Sequence, residues 1–397
     1  GTLGKVDGIV VTGDIAFAGK PCEYDAASLW LDRLASACGC DQSNVFVVPG
    51  NHDVDRSIIQ SNAAVSNAID AIWSKRGSER EGALRRQMAD AETSATILRP
   101  INAYNEFARA YQCQVTTPAL SWTNPVRIDS DTVLNIRGLH SALLSGLYPE
   151  LEERKLYLGP VQTGVIPEYG TINLILSHHP PEWMEDKTDL EDRMLTGPHI
   201  AMFGHEHRPD VSQAQSDCIL IRAGSANPDR KEKGWSPAYG WLSISIEGEE
   251  PKRTARVRIR QYTWQRTPAG FVPVIYSRQG DCVDYRDYLL PIDGVNVVDE
   301  SQGEKGANLA AVQMSNDEKS KTTRGDSPKQ RPDIRSMLFQ IWRLSHSERK
   351  AVFAGLGLGG ALSSDDEDSW VEEAFREAIT KDLLLELNAA ITEKGNY

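Results

Sequence analysis

The sequence lacks an excess of basic residues, and this absence disfavours one large class of function. Its net charge is −13 and its pI is about 5.2. A protein with an extended nucleic-acid footprint needs many lysines and arginines clustered on one face. Nucleic acid is therefore not the partner we favour, although local basic strips leave it open.

Cysteine pairs with C-x-x-C spacing and long apolar runs are also missing. The six cysteines show no C-x-x-C spacing and are too sparse for a disulfide scaffold, so we expect reduced structural thiols. No segment approaches the roughly 18 to 20 apolar residues that span a bilayer. The longest candidate is the glycine-rich run 352–362. We therefore expect a cytoplasmic protein that makes no membrane contact.

An initiating methionine is absent as well. The sequence opens with Gly1-Thr2-Leu3 and enters a buried-strand pattern almost directly. We expect that an upstream segment has been lost or removed, and a signal peptide in that segment stays open.

The first part of the chain has the pattern of an α/β protein. Apolar runs at 8–12 and 44–48 predict buried strands, and the segment 23–37 between them has the length of a helix. Residues 55–112 are mainly helical and polar, which we interpret as a helical insertion. Further strand signals predict a layered α/β sheet; they lie at 132–137, 171–176, 199–203 and 218–222.

The second part of the chain divides into three stretches. From 240 to 292 the alternating pattern predicts antiparallel strands that complete the first domain. Residues 296–332 have almost no large apolar side chains, which predicts a flexible linker. Helices are then predicted at 334–344, 345–355 and 369–394, the last two with capping boxes formed by Ser345 with Glu348 and by Ser369 with Glu372.

Four short polar clusters lie at the ends of predicted strands, where α/β sheets place their sites. They contain five of the eight histidines. Carboxylate and amide oxygens with imidazole nitrogens are the mixed ligand set of Zn, Mn or Fe(II), and not of Ca or an iron–sulfur cluster. The clusters are Gly13-Asp14 with Gly19, Gly50-Asn51-His52-Asp53, Ser177-His178-His179-Pro180 and Gly204-His205-Glu206-His207.

Taken singly, these residues have simpler interpretations. Asp14 could be an Asx-turn residue, and Asn51 could be a turn former. The run from Gly13 to Lys20 has the wrong glycine spacing for a nucleotide-phosphate loop, and Pro21 stands where Ser or Thr should follow the lysine. The joint occurrence of the four clusters favours a metal site.

Read in order, the motifs G-D-x-x-x-x-G, G-N-H-D, H-H-P-P and G-H-x-H resemble the signature of the calcineurin-like metallophosphoesterases of the bacterial type, over about residues 1–230. The resemblance implies a layered metallophosphoesterase-like β-sandwich flanked by helices, here with a small all-α C-terminal domain. Together with the patterns above, we expect a phosphoesterase domain at 1–295, the linker at 296–332 and a helical accessory domain at 333–397.

The resemblance also implies a role for each motif residue. Asp14 would bridge two divalent metal ions (Mn, Fe or Zn). Asn51, His178 and His205 would hold one ion, and His207 would help to hold the other. His52 would protonate or stabilise the leaving oxygen, with Asp53 orienting it. The family's first motif, an Asp-x-His, would precede Gly1, so the second metal site is expected to be incomplete in this chain.

Several residues outside these roles carry open alternatives. His179 is expected to lie beside the ligands or to face the substrate, and His140 to be structural, with a substrate contact left open. A basic strip near Tyr262 and Trp264 could track a phosphate backbone. It consists of Lys252, Arg253, Arg256, Arg258, Arg260 and Arg266. Its arginines alternate with Val257 and Ile259, so the solvated face of a strand is the simpler interpretation.

The predicted activity is metal-dependent hydrolysis of a small phosphate ester, with a phosphodiester or a nucleotide favoured. The alternatives are a nuclease of the same fold and a catalytically incomplete signalling or adaptor protein. The C-terminal helices faintly resemble the effector-associated adaptor domains of bacterial conflict systems, which implies a protein partner for them; a stabilising or dimerising tail is the simpler alternative.

Overall fold

The fold is described from a computed structural model of the chain. It describes residues 4–148, 156–164, 168–196, 200–214, 218–226, 236–249, 252–278, 281–292, 334–358 and 367–394. The predicted linker 296–332 lies outside these residues. None of the described helices has the length and apolar content needed to cross a membrane.

The chain begins with a strand, helix, strand unit. Strand β1 (Ile9–Val11) runs parallel to β2 (Val45–Val47), and helix α1 (Pro21–Cys38) connects them. Strand β2 is fully buried, as its apolar sequence predicts. Strand β1 is only partly buried, which corrects the prediction of two buried strands. Among the described strands β1 pairs with β2 alone, so one of its edges has no strand to cover it.

Five α-helices follow, in the stretch where the sequence predicts a helical insertion. They pack as consecutive neighbours and bury Val65, Ile69, Ile72 and Leu84 in the main core. The helices are α2 (Arg56–Ser61), α3 (Ala63–Trp73), α4 (Gly77–Ala89), α5 (Ala91–Leu98) and α6 (Asn102–Arg109).

A mixed sheet of six strands forms the next layer, in the order β3-β4-β5-β6-β8-β7. Strands β4, β5, β6 and β8 are parallel neighbours, whereas β3 and β7 are antiparallel edges. The elements of this region are β3 (Ser121–Arg127), β4 (Val133–Leu139), α7 (Pro160–Thr163), β5 (Thr171–Ser177), α8 (Lys187–Thr196), β6 (Ile200–Phe203), β7 (Asp210–Gln213) and β8 (Ile219–Arg222).

The remaining strands are antiparallel, as the alternating pattern predicts. The long strand β10 pairs with β9, β11 and β14, and it turns Ala255, Val257 and Ile259 into the same core that contains β2 and β5. The strands are β9 (Ala238–Glu247), β10 (Thr254–Arg266), β11 (Ala269–Pro273), β12 (Tyr276–Arg278), β13 (Asp281–Val283) and β14 (Arg286–Pro291). Sheets flanked by helices around one core are the fold class predicted from the sequence.

The C-terminal part contains α9 (Ile334–Arg343), α10 (His346–Gly355), α11 (Glu367–Thr380) and α12 (Leu384–Lys394) around a second, smaller core. The capping box of Ser345 and Glu348 is confirmed. The single helix predicted at 369–394 is wrong. Asp382 takes a left-handed conformation, and the Leu383 N–H bonds back to the Ala378 carbonyl, which ends the first helix. Helix α11 begins at Glu367, so Ser369 is not its N-cap.

Candidate metal centre

The loops that follow four strands meet at one edge of the sheets. Strands β1 and β2 are parallel, as are β5 and β6, so each pair delivers the residues after its carboxyl ends to the same side. These loops contain the four polar clusters that the sequence predicts to form a site.

Donor atoms of three other side chains cluster around the His178 Nε2 atom. The His178 Nε2 atom lies 3.1 Å from Asn51 Oδ1, 3.2 Å from His205 Nδ1 and 3.3 Å from Asp14 Oδ2. The His205 Nδ1 atom lies 3.2 Å from Asn51 Oδ1. The side chains thus come from four separate loops, and their nitrogen and oxygen atoms face one another.

The spacing of these atoms fits the coordination shell of a small divalent cation. At a metal–ligand distance of about 2.1 Å, neighbouring ligands lie about 3.0 Å apart in an octahedral shell and about 3.4 Å apart in a tetrahedral one. The separations of 3.1 to 3.3 Å fall between these limits.

Hydrogen bonding alone explains this arrangement poorly. The His178 Nδ1–H donates to the Thr12 carbonyl at 2.7 Å, which leaves a lone pair on Nε2 when the ring is neutral. That lone pair would face the Asn51 and Asp14 oxygens and the His205 nitrogen. A cation bound between these atoms removes their repulsion.

The Asp14 carboxylate supplies negative charge here, which either a proton on His178 or a bound cation would balance. Burial opposes ionisation of Asp14, but the charge and hydrogen bond of His178 and the His52 N–H outweigh it and lower the Asp14 pKa to about 2. Burial disfavours the His178 imidazolium, but Asp14 raises the His178 pKa above its ordinary value. Burial and the charge of His178 lower the pKa of His205 to about 4, so its ring is neutral near neutral pH.

The backbone of the site is constrained wherever the loops touch. A Cβ atom on Gly50 would lie 2.2 Å from Asp14 Oδ1, and one on Gly13 would lie 2.5 Å from His178 Nδ1. Asp14, His205 and His207 all have positive φ, at 55°, 65° and 54°. Non-glycine residues in this region are uncommon and concentrate at functional sites.

His52 lies beside this cluster of donor atoms but is not held by Asp53, which corrects the role predicted for that carboxylate. The His52 Nδ1 donates to the Phe17 carbonyl at 2.8 Å, and its backbone N–H donates to Asp14 Oδ1 at 3.0 Å. Asp53 is fully buried and instead accepts bonds from the N–H groups of Ile15, Ala16 and Gly50 and from the Tyr24 hydroxyl. Its carboxylate ties the 13–19 loop to the turn at Gly50, because two backbone donors of that loop and one of the turn need an acceptor.

The other predicted histidines divide between the site and the core. His207 is half-exposed, and its charge is one of the influences that lower the pKa of His205, so it lies close by. His179 brings one nitrogen within 4.8 Å of ring nitrogens of His178 and His205, while its Nδ1 bonds to the Ser141 hydroxyl at 2.9 Å. His140 is buried, and burial lowers its pKa to about 3. His178, His179 and His205 thus form a group whose ring nitrogens could hold a metal ion.

Some residues that shape the site carry no recognisable sequence signal. Arg222, at the end of β8, pairs with Glu206 at 2.5 Å and with Glu182 at 2.7 Å, so it ties together the loops after β5 and β6. The carbonyls of Thr12 and Phe17 orient His178 and His52. Backbone acceptors cannot be identified from residue types, whereas Arg222 could have been suggested by its place at a strand end.

Trp183, which follows the H-H-P-P motif, borders the site. Its ring centroid lies 4.2 Å from that of His205, edge to face, and 6.3 Å from that of His179. The next residue, Met184, is buried in the core. Trp183 therefore forms a half-buried wall on the His205 side.

The motifs at this site are shared with a known protein family. The sequence profile of the calcineurin-like phosphoesterases matches residues 2–209, more than half of the chain. The chain belongs to the calcineurin-like phosphoesterase family. The matched segment contains all of the predicted site residues from Asp14 to His207.

Comparisons with individual proteins do not identify an activity. No curated protein matches this member of the calcineurin-like phosphoesterases. Among solved structures, a single-mutant form of Vps29 from Entamoeba histolytica shares 11% sequence identity, covering 73% of this chain and 85% of its own, with a TM-score of 0.23. That likeness is too low to bear on activity.

Proposed function

We propose that this calcineurin-like phosphoesterase hydrolyses a small phosphate ester with the help of bound divalent metal ions. The observation that carries the proposal is the clustering of Asn51, His205 and Asp14 donor atoms around His178 Nε2, at separations of 3.1 to 3.3 Å. Family membership supports metal-dependent phosphoester hydrolysis as the reaction class.

In this proposal Asp14, Asn51, His178 and His205 hold one cation. Asp14 has a second carboxylate oxygen, and His207 lies close to His205, so these two residues would contribute to a second cation site. The ion would be Mn, Fe or Zn, because all three accept mixed nitrogen and oxygen ligands. When bound, such ions make water available as a nucleophile near neutral pH and neutralise charge on the phosphate.

His52 is proposed as the proton donor to the leaving oxygen. Its Nδ1–H is fixed on the Phe17 carbonyl, which leaves Nε2 free to carry the proton that is transferred. Asp53 acts only indirectly, by holding the loop that presents both Asp14 and the Phe17 carbonyl. It is thus a positioning residue.

A phosphodiester or a nucleotide is the substrate class we favour. The nuclease alternative would need a free basic surface, but three arginines of β10 are engaged by acids. Arg256 pairs with Glu247 at 2.5 Å, Arg258 with Asp287 at 2.7 Å, and Arg260 with Asp284 at 3.4 Å. These pairs support the simpler interpretation, in which the strip is the solvated face of a strand.

The test combines metal binding with turnover. Mn(II) binding would be measured by calorimetry, and hydrolysis of bis(p-nitrophenyl) phosphate and p-nitrophenyl phosphate would be followed with Mn(II) present. We expect binding and turnover in the natural sequence and the loss of both in Asp14→Asn. Asp25→Asn, which changes an exposed carboxylate on α1, is the matched control and should retain both.

The outcomes separate the candidate functions. Turnover that survives Asp14→Asn would exclude the proposed metal site. Metal binding without turnover of either ester would instead favour the signalling or adaptor role. The ratio of diester to monoester hydrolysis would narrow the substrate.

A further inference from the structure

Phe17 is the most exposed large apolar residue of the described chain, with 80% of its surface accessible. Single exposed apolar residues are ordinary on protein surfaces. Phe17 differs from them because its ring borders the proposed site. Its centroid lies 5.6 Å from that of His52, with the two planes tilted by 35°.

The loop that carries Phe17 is fixed on both sides of the residue. The Ala16 N–H donates to Asp53 Oδ1 at 2.9 Å, and the Ala18 N–H donates to Glu23 Oε2 at 3.0 Å. The Phe17 carbonyl is held by the His52 ring. The exposed ring is therefore presented on a constrained backbone and not on a loose loop.

The Phe17 side chain has no polar atom with which to orient the site residues. It is the carbonyl of Phe17, and not its ring, that orients His52, so the backbone contact does not require phenylalanine at this position. By contrast, the half-buried ring of Trp183 already packs against His205. The Phe17 ring keeps most of its surface available beside the proposed proton donor.

We propose that Phe17 is a specificity residue that stacks on a planar ring in the leaving group of the substrate. The chemistry that fits is a phosphate ester of a nucleoside or of an aryl alcohol, because a flat π-surface attracts an aromatic ring more than a sugar or an alkyl chain. This inference rests on the proposed function, since it places the leaving group next to His52.

The test uses pairs of esters that share a leaving alkoxide and differ in the base. Adenosine 5′-monophosphate is compared with ribose 5-phosphate, and the methyl ester of each supplies the diester pair. Benzyl phosphate against cyclohexylmethyl phosphate, whose leaving alkoxides are similar, is the aryl arm. Stacking changes affinity by about 10-fold or more per base, so we expect a ratio of kcat/KM between the nucleotide and the sugar phosphate on the order of 10 or above.

Three variants test whether the preference for an ester with a base depends on the Phe17 ring. Phe17→Leu keeps an apolar side chain but removes the ring, and it should lower the ratio to about one. Phe17→Trp keeps a stacking surface and should retain the ratio. Phe271→Leu is the matched control, because Phe271 is 43% exposed on β11, outside the site, and its loss should leave the ratio unchanged.

Equilibrium binding separates failure of this inference from failure of the proposed function. Binding of adenosine and of ribose would be measured by calorimetry with the same variants. If no ester is hydrolysed, the proposed function fails, while tighter binding of adenosine that depends on Phe17 would still support the stacking role. The stacking role would be overturned if the natural sequence gave a kcat/KM ratio near one. It would also be overturned if Phe17→Leu left intact both the preference for the nucleotide in hydrolysis and the preference for adenosine in binding.

Discussion

Gly50 lies so close to Asp14 that one added carbon atom would change the site. The Cβ of Gly50→Ala would lie 2.2 Å from the Asp14 Oδ1 atom and 2.6 Å from its backbone nitrogen, so the Asp14 loop must move. We expect Mn(II) affinity to fall by at least about 10-fold, since removal of a supporting contact to a ligand commonly costs that much. Calorimetric titration of the purified variant would measure it.

Gly82→Ala is the control for this prediction. Gly82 is exposed in the interior of α4, and nothing lies within 4 Å of its added Cβ. The variant should unfold at higher denaturant, with a gain of about 0.5 to 1 kcal/mol, and should bind Mn(II) as before. Unchanged metal affinity in Gly50→Ala would show that the Asp14 loop can shift without losing the site.

Asp55 gives a pH-dependent prediction. It accepts bonds from the Ser57 N–H at the start of α2 and from the Lys20 ammonium at 2.7 Å. Burial opposes ionisation of Asp55, but the Lys20 and Ser57 bonds outweigh it and lower its pKa. A lowered pKa in the folded state means that the stabilisation is present above the unfolded pKa of about 3.9 and is lost as the pH falls through the folded pKa.

Asp55→Asn keeps the cap acceptor and removes the charge. At about pH 7 we expect the natural sequence to be more stable than the variant by about 1 kcal/mol, a modest value because the Lys20 side chain is 42% exposed. When both are unfolded by urea at decreasing pH, the difference should shrink below the unfolded pKa and be lost as the pH falls through the folded pKa of Asp55. A difference that is constant across this range would mean that the charge of Asp55 is not what stabilises the loop.

At the scale of elements, Arg80 links the helical region to the loop that bears Trp183. The Arg80 side chain is fully buried, pairs with Glu185 at 2.8 Å and donates to the Trp73 carbonyl at 2.5 Å. Removal of one partner leaves the other charge without compensation, so Arg80→Ala should lower the free energy of unfolding by about 3 to 5 kcal/mol. Arg85→Ala removes an exposed pair with Glu81 on the same helix and should cost less than about 0.5 kcal/mol. The free energy of unfolding of both variants would be measured by chemical denaturation. Equal losses in the two variants would show that burial of the Arg80 pair is unimportant.

The elements that the sequence predicts well are those with a single strong pattern. Strands β2 and β5 are continuous apolar runs, and both are buried as expected. Strand β3 is missed because it carries Pro125 and alternates only weakly; Pro125 is tolerated because β3 is an edge of its sheet. The break between α11 and α12 is missed because Asp382, rather than a glycine, takes the left-handed conformation.

The site is predictable to the extent that its side chains stand in contiguous motifs. Asp14, Asn51, His178 and His205 can be chosen from the sequence, and the structure brings their donor atoms together. The hydrogen bond that orients the His52 ring cannot be predicted in this way. It comes from a backbone carbonyl in a loop that is 35 residues away in sequence, and motif spacing contains no information about such contacts.

At the scale of the whole molecule, the C-terminal helices are joined to the phosphoesterase fold through α9. Phe339 enters the main core and lies 5.5 Å from Tyr111, ring to ring, while Met337 and Ile341 enter the smaller core. The helix therefore belongs to both cores at once. This continuity supports a stabilising contribution from the C-terminal helices beside any recruiting role.

Arg335 is the polar part of this joint. Its guanidinium donates to the carbonyls of Ser43 at 2.7 Å and Tyr111 at 2.8 Å and lies over the Phe46 ring at 4.6 Å. Arg335→Met keeps an apolar stem but leaves these carbonyls without their donor, so we expect a loss of about 2 to 3 kcal/mol. Amide hydrogen exchange should become faster in α9 and in the segment 43–47, next to the G-N-H-D loop.

Arg343→Met tests whether any cation on α9 would have the same effect. Arg343 pairs with Asp32 at 2.8 Å, but its side chain is 39% exposed, so its removal should cost less than about 1 kcal/mol and leave exchange at 43–47 unchanged. If the two variants behave alike, the joint depends on general electrostatics. If only Arg335→Met loosens both α9 and 43–47, docking of the C-terminal helices is coupled mechanically to the strand that delivers Asn51 and His52, and a partner bound to those helices could then act on the site.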